Sequence, residues 1–311
     1  MAPSAGQSAH ASGRPAADRD AALAARRHRW LLGHAESECD GRRHCLLGRL
    51  RREVEHVAIA TPRGHARSPP STRCGGTGER VTGEVGLRFV GQVGIAGDAD
   101  AGDRAEFARD LAAFGASLEG VADSHASPHL DLSVGGLDLT WDLRFTTSEA
   151  AQAFETLVSR AEGLGPLQGR VEQLELGRPI TLATGLGRPG LVGVKRALWL
   201  RVEPEASPDD VARFEAETPL LAKAVPAIRN WRWSRLTSAD HGPMEMRWTH
   251  LWEQEFETVE GLQVDYMSSP VHWGHIDRWF DPEMPDRIVD LWLAHTAYVE
   301  TAPVLSWGEA G

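Results

Sequence analysis

The stretch VKRALWLRVEPEASPDDVARF, Val194 to Phe214, decides the fold. Its first nine residues read as a strand. Ser207-Pro208-Asp209-Asp210 then opens a helix, with Ser as the cap and Pro at the first helical position, where a missing N–H leaves nothing unsatisfied. Val211, Phe214, Leu221 and Val225 fall on one side of that helix, which Pro219 should kink. Downstream, AIRNWRWSRL and MRWTHLWEQEF form a hairpin, Val259 to Tyr266 a second helix, and RIVDLWLAHTAYV a closing strand. The order is βαββαβ.

The same order precedes it. VGLRFVGQVGI, from Val85, reads as a strand, and Asp103 to Leu118 places Phe107, Leu111, Phe114 and Leu118 on one helical stripe. HLDLSV and LDLTWDLRF alternate around Gly135-Gly136, a hairpin signal. Thr147 or Ser148 can cap a helix carrying Phe154, Leu157, Val158 and Ala161, and a last strand follows at Val171 to Leu176. TLATGLGRPG, 181–190, reads as a linker. Two successive βαββαβ patterns argue for a duplicated ferredoxin-like unit.

Upstream of residue 84 the material changes. Residues 1–80 hold 14 Arg, no Lys and 8 acids, whereas the remainder holds 19 bases and 36 acids within a chain of net charge −11. The leader has no Phe or Tyr and one Trp, too little apolar surface to offset the entropy of ordering, so residues 1–83 are expected to be mostly disordered. They also suit an over-extended translation start with initiation near Val81; N-terminal sequencing that found Met1 intact would refute this. His34, Cys39, His44 and Cys45 match no zinc spacing, and GGTGER lacks the strand and the Lys-Ser/Thr of a phosphate loop. An unpatterned basic tail gives no reason to invoke nucleic acid.

A chain that is 41% hydrophobic and 25% charged, without a long apolar run, is globular and needs no membrane. Three cysteines, all early, suggest no disulfide framework and fit a cytoplasmic setting.

The chemistry-bearing motif is DYMSSPVHWGHIDRWFDPEMP, Asp265 to Pro285. A helix carries Tyr266, and Pro270 forces the chain out of helix so that His272 can turn back toward the same cavity. By the two-residue period of a strand, Trp248, His250 and Trp252 should share one face. If it looks inward, His250, His272 and Tyr266 converge in an aromatic-lined pocket. His275, Asp277 and His295 read as surface or structural groups. A metal held by His250, His272 and Asp277 lacks the His-x-Asp/Glu pair that such sites place on one strand. The second unit has a Tyr and a Pro-x-His; the first has neither, so any chemical site should be single.

The strand KxxLWLRV, the helix ending VPAIRNW, the strand WTHLWEQEF and the segment DYMSSPVHWGHIDRWF resemble the stress-responsive dimeric α/β-barrel family, Dabb. Its hallmark is Tyr, two residues, a polar residue, Pro, one residue and His. The resemblance covers Val192 to Thr301, and residues 84–180 look like a degenerate member. It implies an α+β fold: tandem ferredoxin-like units, 84–180 and 191–303, with antiparallel sheets packed as an intramolecular dimeric α/β barrel, followed by a tail, 304–311. It also implies a monomer with an internal pseudo-dimer, or a weak homodimer.

The enzymes resembling this family are cofactor-free polyketide cyclases. The resemblance makes His272 the base and Tyr266 the partner of a carbonyl oxygen, and it matches His250 to a pocket histidine. Arg196 stands where the cyclase has a first-strand histidine, and Ser269 where it has a second polar histidine. Trp248, Trp252 and Arg196 join His250 as expected contacts of a small apolar or aromatic molecule, with no cofactor and no metal. The other reading is a non-catalytic, stress-associated barrel that binds a small ligand or a partner.

Overall fold

The structure, a computed structural model, describes residues 87–160, 163–238 and 248–307. The leader 1–83, with its expected disorder and start site, lies outside the described residues. The first βαββαβ pattern gives β1 (Arg88–Ile95), α1 (Ala101–Ser117), β2 (Val121–Pro128), β3 (Leu139–Phe145), α2 (Ser148–Val158) and β4 (Val171–Leu186). The second gives β5 (Val194–Val202), α3 (Pro208–Glu217), α4 (Leu220–Ala224), β6 (Asn230–Ser238), β7 (His250–Phe256) and β8 (Val289–Val299), with two π-helical turns, Gly261–Tyr266 and His272–Ile276, before β8.

The helix starts follow local chemistry. Asp100 accepts from the backbone of Gly102 and Asp103 while the Asp103 carboxylate accepts from the Asp100 backbone, a capping box that opens α1. Thr147 caps α2, and Ser207 caps α3 with Pro208 inside the first turn. Pro219, lacking an N–H, separates α3 from α4, the break that its sequence position predicts.

All eight strands form one antiparallel sheet in the order β2-β3-β1-β4-β6-β7-β5-β8. Each half has the ferredoxin-like order, and β4 pairs with β6 to join them. The sheet curls until its edges meet: Ser127 Oγ donates to Val299 O, Leu130 N donates to Ala297 O, and the backbones of Val134 and His295 exchange hydrogen bonds. Gly135 takes φ +76° at this seam, where a Cβ would strike the Leu293 carbonyl.

Three expectations need correction. The second strand of the first half is VADSHASP, not HLDLSV; the latter crosses to β8 instead, and its Leu130 and Leu132 pack on the second half's core. Residues 181–186, read as linker, continue β4 and pair with β6, because the long strand satisfies backbone groups that a free connection would leave to solvent. In the tail, Val304 and Leu305 are buried, and Leu305 N donates to Glu255 Oε1 at 3.0 Å.

Two apolar layers lie between the sheet and the helices, one per half. The first gathers Phe89, Phe107, Leu111, Trp141, Leu143, Phe145 and Phe154; the second gathers Leu198, Phe214, Trp233, Trp252, Phe256, Tyr266 and Trp279. The barrel interior holds Val90, Ala197, Trp199, Trp248 and Leu251 beside a buried ionic set. There Arg88 bridges Asp142 and Glu253, and Lys195 Nζ lies 2.7 Å from Glu253.

Candidate functional site

The site is built from three strands and the two π-helical turns. On β5, Val194, Leu198 and Leu200 face the helices within the second half's apolar core, and Arg196 takes its place among them by the alternation of the strand. Register puts Gln254 of β7 directly opposite Arg196, and Arg196 Nη1 donates to Gln254 Oε1 at 2.6 Å. His295 of β8 lies opposite Leu198, two register positions away, and its Nδ1 accepts from Arg196 Nη2 at 2.8 Å.

The turns close over this strand surface. Tyr266 ends the first and His272 begins the second; such wide turns recur at functional positions because they re-aim a side chain within a helical path. Pro270 lies between them, as the motif predicts. The Tyr266 and His272 rings are 4.6 Å apart, edge to face. The Arg196 guanidinium stands 5.0 Å from the centre of the Tyr266 ring. Tyr266 and Arg196 are buried, and His272 nearly so.

Burial sets the protonation states. It pushes the His272 imidazole down to about 3, with the positive charge of Arg196 adding to the effect, so the ring is neutral at physiological pH. Its Nδ1 is buried without a hydrogen-bond partner. Burial raises the Tyr266 phenol above its ordinary value, against the opposing pull of Arg196, so the hydroxyl keeps its proton. Burial and then Asp281 push the Asp277 carboxyl up to about 7, although Arg196 acts the other way.

The structure thus brings together His272, Tyr266 and Arg196 from the predicted set, and adds Gln254, His295 and Asp277. It does not bring His250 to them. His250 shares the face of Gln254 but stands four residues back along β7, roughly 13 Å. There it stacks on Trp233 at 5.1 Å and lies 3.0 Å from Glu215 Oε1. Trp252 lies between the two positions in the apolar core, against Trp231 and Trp233. Trp248 leaves the expected face: it belongs to the barrel interior with Leu251, and its indole donates to Glu175 at 2.5 Å. The alternation fails because β7 becomes regular only at His250. Gln254 went unread, and His295 was read only as a surface or structural group, because cross-strand register brings them to Arg196. The available signal was Gln254 lying between Trp252 and Phe256, a polar side chain between two aromatic ones on the same face.

The separation of His250 from His272 leaves no two-histidine, one-carboxylate set, and among the described residues no cluster of three metal-ligating side chains occurs. Among them too, no helix is long and apolar enough to cross a membrane. The first half carries an open groove of about 390 Å³ lined by Leu118, Phe145, Phe154 and Leu157, with no histidine or tyrosine.

Residues 194–290 match the family described as the Stress responsive A/B Barrel Domain, Dabb. The match spans β5 to the start of β8 and includes Tyr266, His272 and Arg196. Among curated proteins, none matches. Three solved structures illustrate the likeness to known folds. An anthrone oxidase-like protein shares 10% identity at TM-score 0.48, covering 73% of this chain and 98% of its own. A monooxygenase-like protein from Listeria innocua shares 11% at TM-score 0.35, with 68% and 94% covered. Chlorite dismutase from Candidatus Nitrospira defluvii shares 10% at TM-score 0.41, with 68% and 91% covered. None of these carries an activity over to this chain.

Proposed function

We propose that the chain is a cytoplasmic tandem Dabb barrel, with copies at 84–180 and 191–303, whose second copy is a cofactor-free cyclase or lyase-like enzyme acting on an aromatic or polyketide-like molecule. The observation that carries this reading is a neutral His272 whose Nδ1 has no partner, enclosed with a protonated Tyr266 and the Arg196 cation. A general base must be unprotonated before reaction and within reach of the proton it takes. At about 3 the His272 imidazole is a weak base by itself. Its basicity rises when a negative charge appears beside it, and abstraction of a proton next to a carbonyl creates that charge in the same step. His272 takes the proton, the C–H electron pair moves to the carbonyl oxygen, and Tyr266 and Arg196 face the resulting enolate. An aldol closure can follow.

The tandem reading has separate support in the barrel interior. Val90 opposes Asp142 across β1 and β3, and Ala197 opposes Glu253 across β5 and β7. Arg88 and Lys195 each precede those first-strand residues by two, so both halves place a base and an acid at the same relative register.

A second reading, a ligand-binding barrel without catalysis, draws support from the enclosure of His272, which burial keeps from taking a proton easily. Deuterium exchange distinguishes the two. The full chain in D₂O with 1-phenylbutane-1,3-dione should accelerate loss of the methylene proton signal over the buffer rate, and His272→Ala should abolish the acceleration. Exchange at the buffer rate with the wild-type protein would favour the binding barrel.

A further inference from the structure

Among the described residues, the other two buried cations, Arg88 and Lys195, meet acids. Arg88 contacts Asp142 and Glu253, and Lys195 contacts Glu253. Arg196 is as deeply buried, yet it meets an amide oxygen, an imidazole nitrogen and the face of a phenol. Among the described residues no carboxylate lies within ion-pair distance of it. Burying a cation without a counter-charge opposes folding, so such a group is retained where something else supplies the charge. Asp277 is near enough to feel Arg196, but burial and Asp281 hold its carboxyl near half-protonation at neutral pH, which leaves the guanidinium incompletely balanced.

A guanidinium has five N–H donors in a planar fork. Gln254 and His295 take one each and fix the plane. The fork matches the two oxygens of a carboxylate, and Gln254 and His295 keep it from rotating away. The layer around it, Tyr266, Leu198 and Phe256, is aromatic and aliphatic. The uncharged His272 leaves Arg196 unopposed as the positive pole of this region.

We infer that the second half binds an aromatic or polyketide-derived acid whose ionised carboxylate seats on Arg196, beside Tyr266 and His272. This rests on the reading of the site as a small-molecule pocket and adds the charge of its ligand. The first half offers no equivalent seat among the described residues: its corresponding layer is mainly aromatic and aliphatic, and the Arg178 guanidinium over Phe89 already faces Glu155.

Calorimetric titration of the full chain with 2-naphthoate and with 2-naphthamide, which differ chiefly in charge, tests the inference. The acid should bind at least about tenfold more tightly than the amide, and Arg196→Gln should remove that preference. Should Arg196→Gln fail to fold, the acid–amide comparison on the wild-type protein stands alone, and Arg196→Lys should retain part of the preference. An amide that binds as well as the acid, or an acid affinity unchanged in folded Arg196→Gln, overturns the carboxylate inference and leaves the pocket intact. If neither compound binds, the pocket reading itself falls, and the inference with it.

Discussion

The two halves of the barrel trace the same path and part company in one layer. Between sheet and helices, the first half packs Phe89, Trp141, Phe145 and Phe154 ring against ring, with Phe154 centred 5.1 Å from Phe89 and 5.3 Å from Phe145. At the same level the second half holds Arg196, Gln254, His295, Tyr266 and His272. On the barrel interior the halves converge again, with Arg88 and Asp142 from one and Lys195 and Glu253 from the other in a single buried set. The fold therefore makes two demands that sequence can meet separately. Charges across the interior join the halves, whereas the outer layers tolerate either hydrocarbon or a polar site. Polar groups gather in the second half's layer, whereas the first half's layer is mainly aromatic and aliphatic.

The sharpest way to break this comparison is to damage the first half's aromatic layer. Phe154 is buried against three aromatic rings, so Phe154→Ala should cost about 3–5 kcal/mol through lost transfer and cavity terms. Denaturant melts of the full chain measure it. Because β4 is hydrogen-bonded to β6, both halves should unfold in one transition. A two-step melt in which the second half survives would mean that the halves are independent and that the interior does not couple them.

The interior comes next. Glu253 touches both Arg88 and Lys195, and those cations hold its carboxyl far below the ordinary range despite burial. Glu253→Gln leaves two buried cations facing Asp142 alone and should cost about 3 kcal/mol. Asp142→Asn is the symmetric change and should cost a similar amount, since Arg88 and Tyr298 lose an acceptor. Stability of the two variants, measured side by side, tests the pseudo-symmetry: a large cost for one and none for the other would show that a single half owns the set.

How much of this was legible depends on which force set each feature. The helices were legible because caps and breaks are local: Thr147, Ser207-Pro208 and Pro219 act within a turn of themselves. Strand β5 was legible as strand, but its faces were not, because every residue but Arg201 is buried and the alternation that marks a solvent face is missing. That concealed Lys195 as an interior cation. Strand β2, VADSHASP, has little β-branched or aromatic content; pairing with β3 forms it, against its own propensity. Tyr266, His272 and Arg196 could be read from one motif and one resemblance. The contacts of Gln254 and His295 with Arg196 could not, since only register brings these residues together.

A third effect is spread over both halves. Burial lowers His125 and His129 of the first half to about 4 and His272 of the second to about 3. In the unfolded chain each takes up a proton near the ordinary value of about 6.5. A base whose folded value is depressed contributes stability above its unfolded value and loses it as pH falls toward the folded one. The three histidines should thus lower stability from about pH 6.5 to pH 4, against the smaller opposite pull of the raised Asp277 and Glu300 carboxyls, and His125→Gln should flatten the decline. An equal slope in the variant would mean that another group sets the acid limb.

The smallest expected effect on stability is at the site itself, and its sign should change with pH. At pH 7 both folded and unfolded His272 are largely neutral, so His272→Ala removes only packing against Tyr266 and Trp273. That should cost about 1 kcal/mol, well below a large core deletion, because the imidazole gives up no Nδ1 hydrogen bond. As pH falls below about 6.5, the unfolded wild-type chain protonates His272 while the folded protein holds it neutral toward about 3, and the wild-type advantage shrinks. Alanine has no proton to take up. Near pH 4 the variant should match or exceed the wild type, a crossing visible in denaturant midpoints taken at pH 7 and pH 4. A first-half residue such as Phe154 cannot produce it, since its loss does not depend on protonation. If His272→Ala instead costs several kcal/mol at both values without convergence, the imidazole is a structural plug, and the second half differs from the first in composition alone.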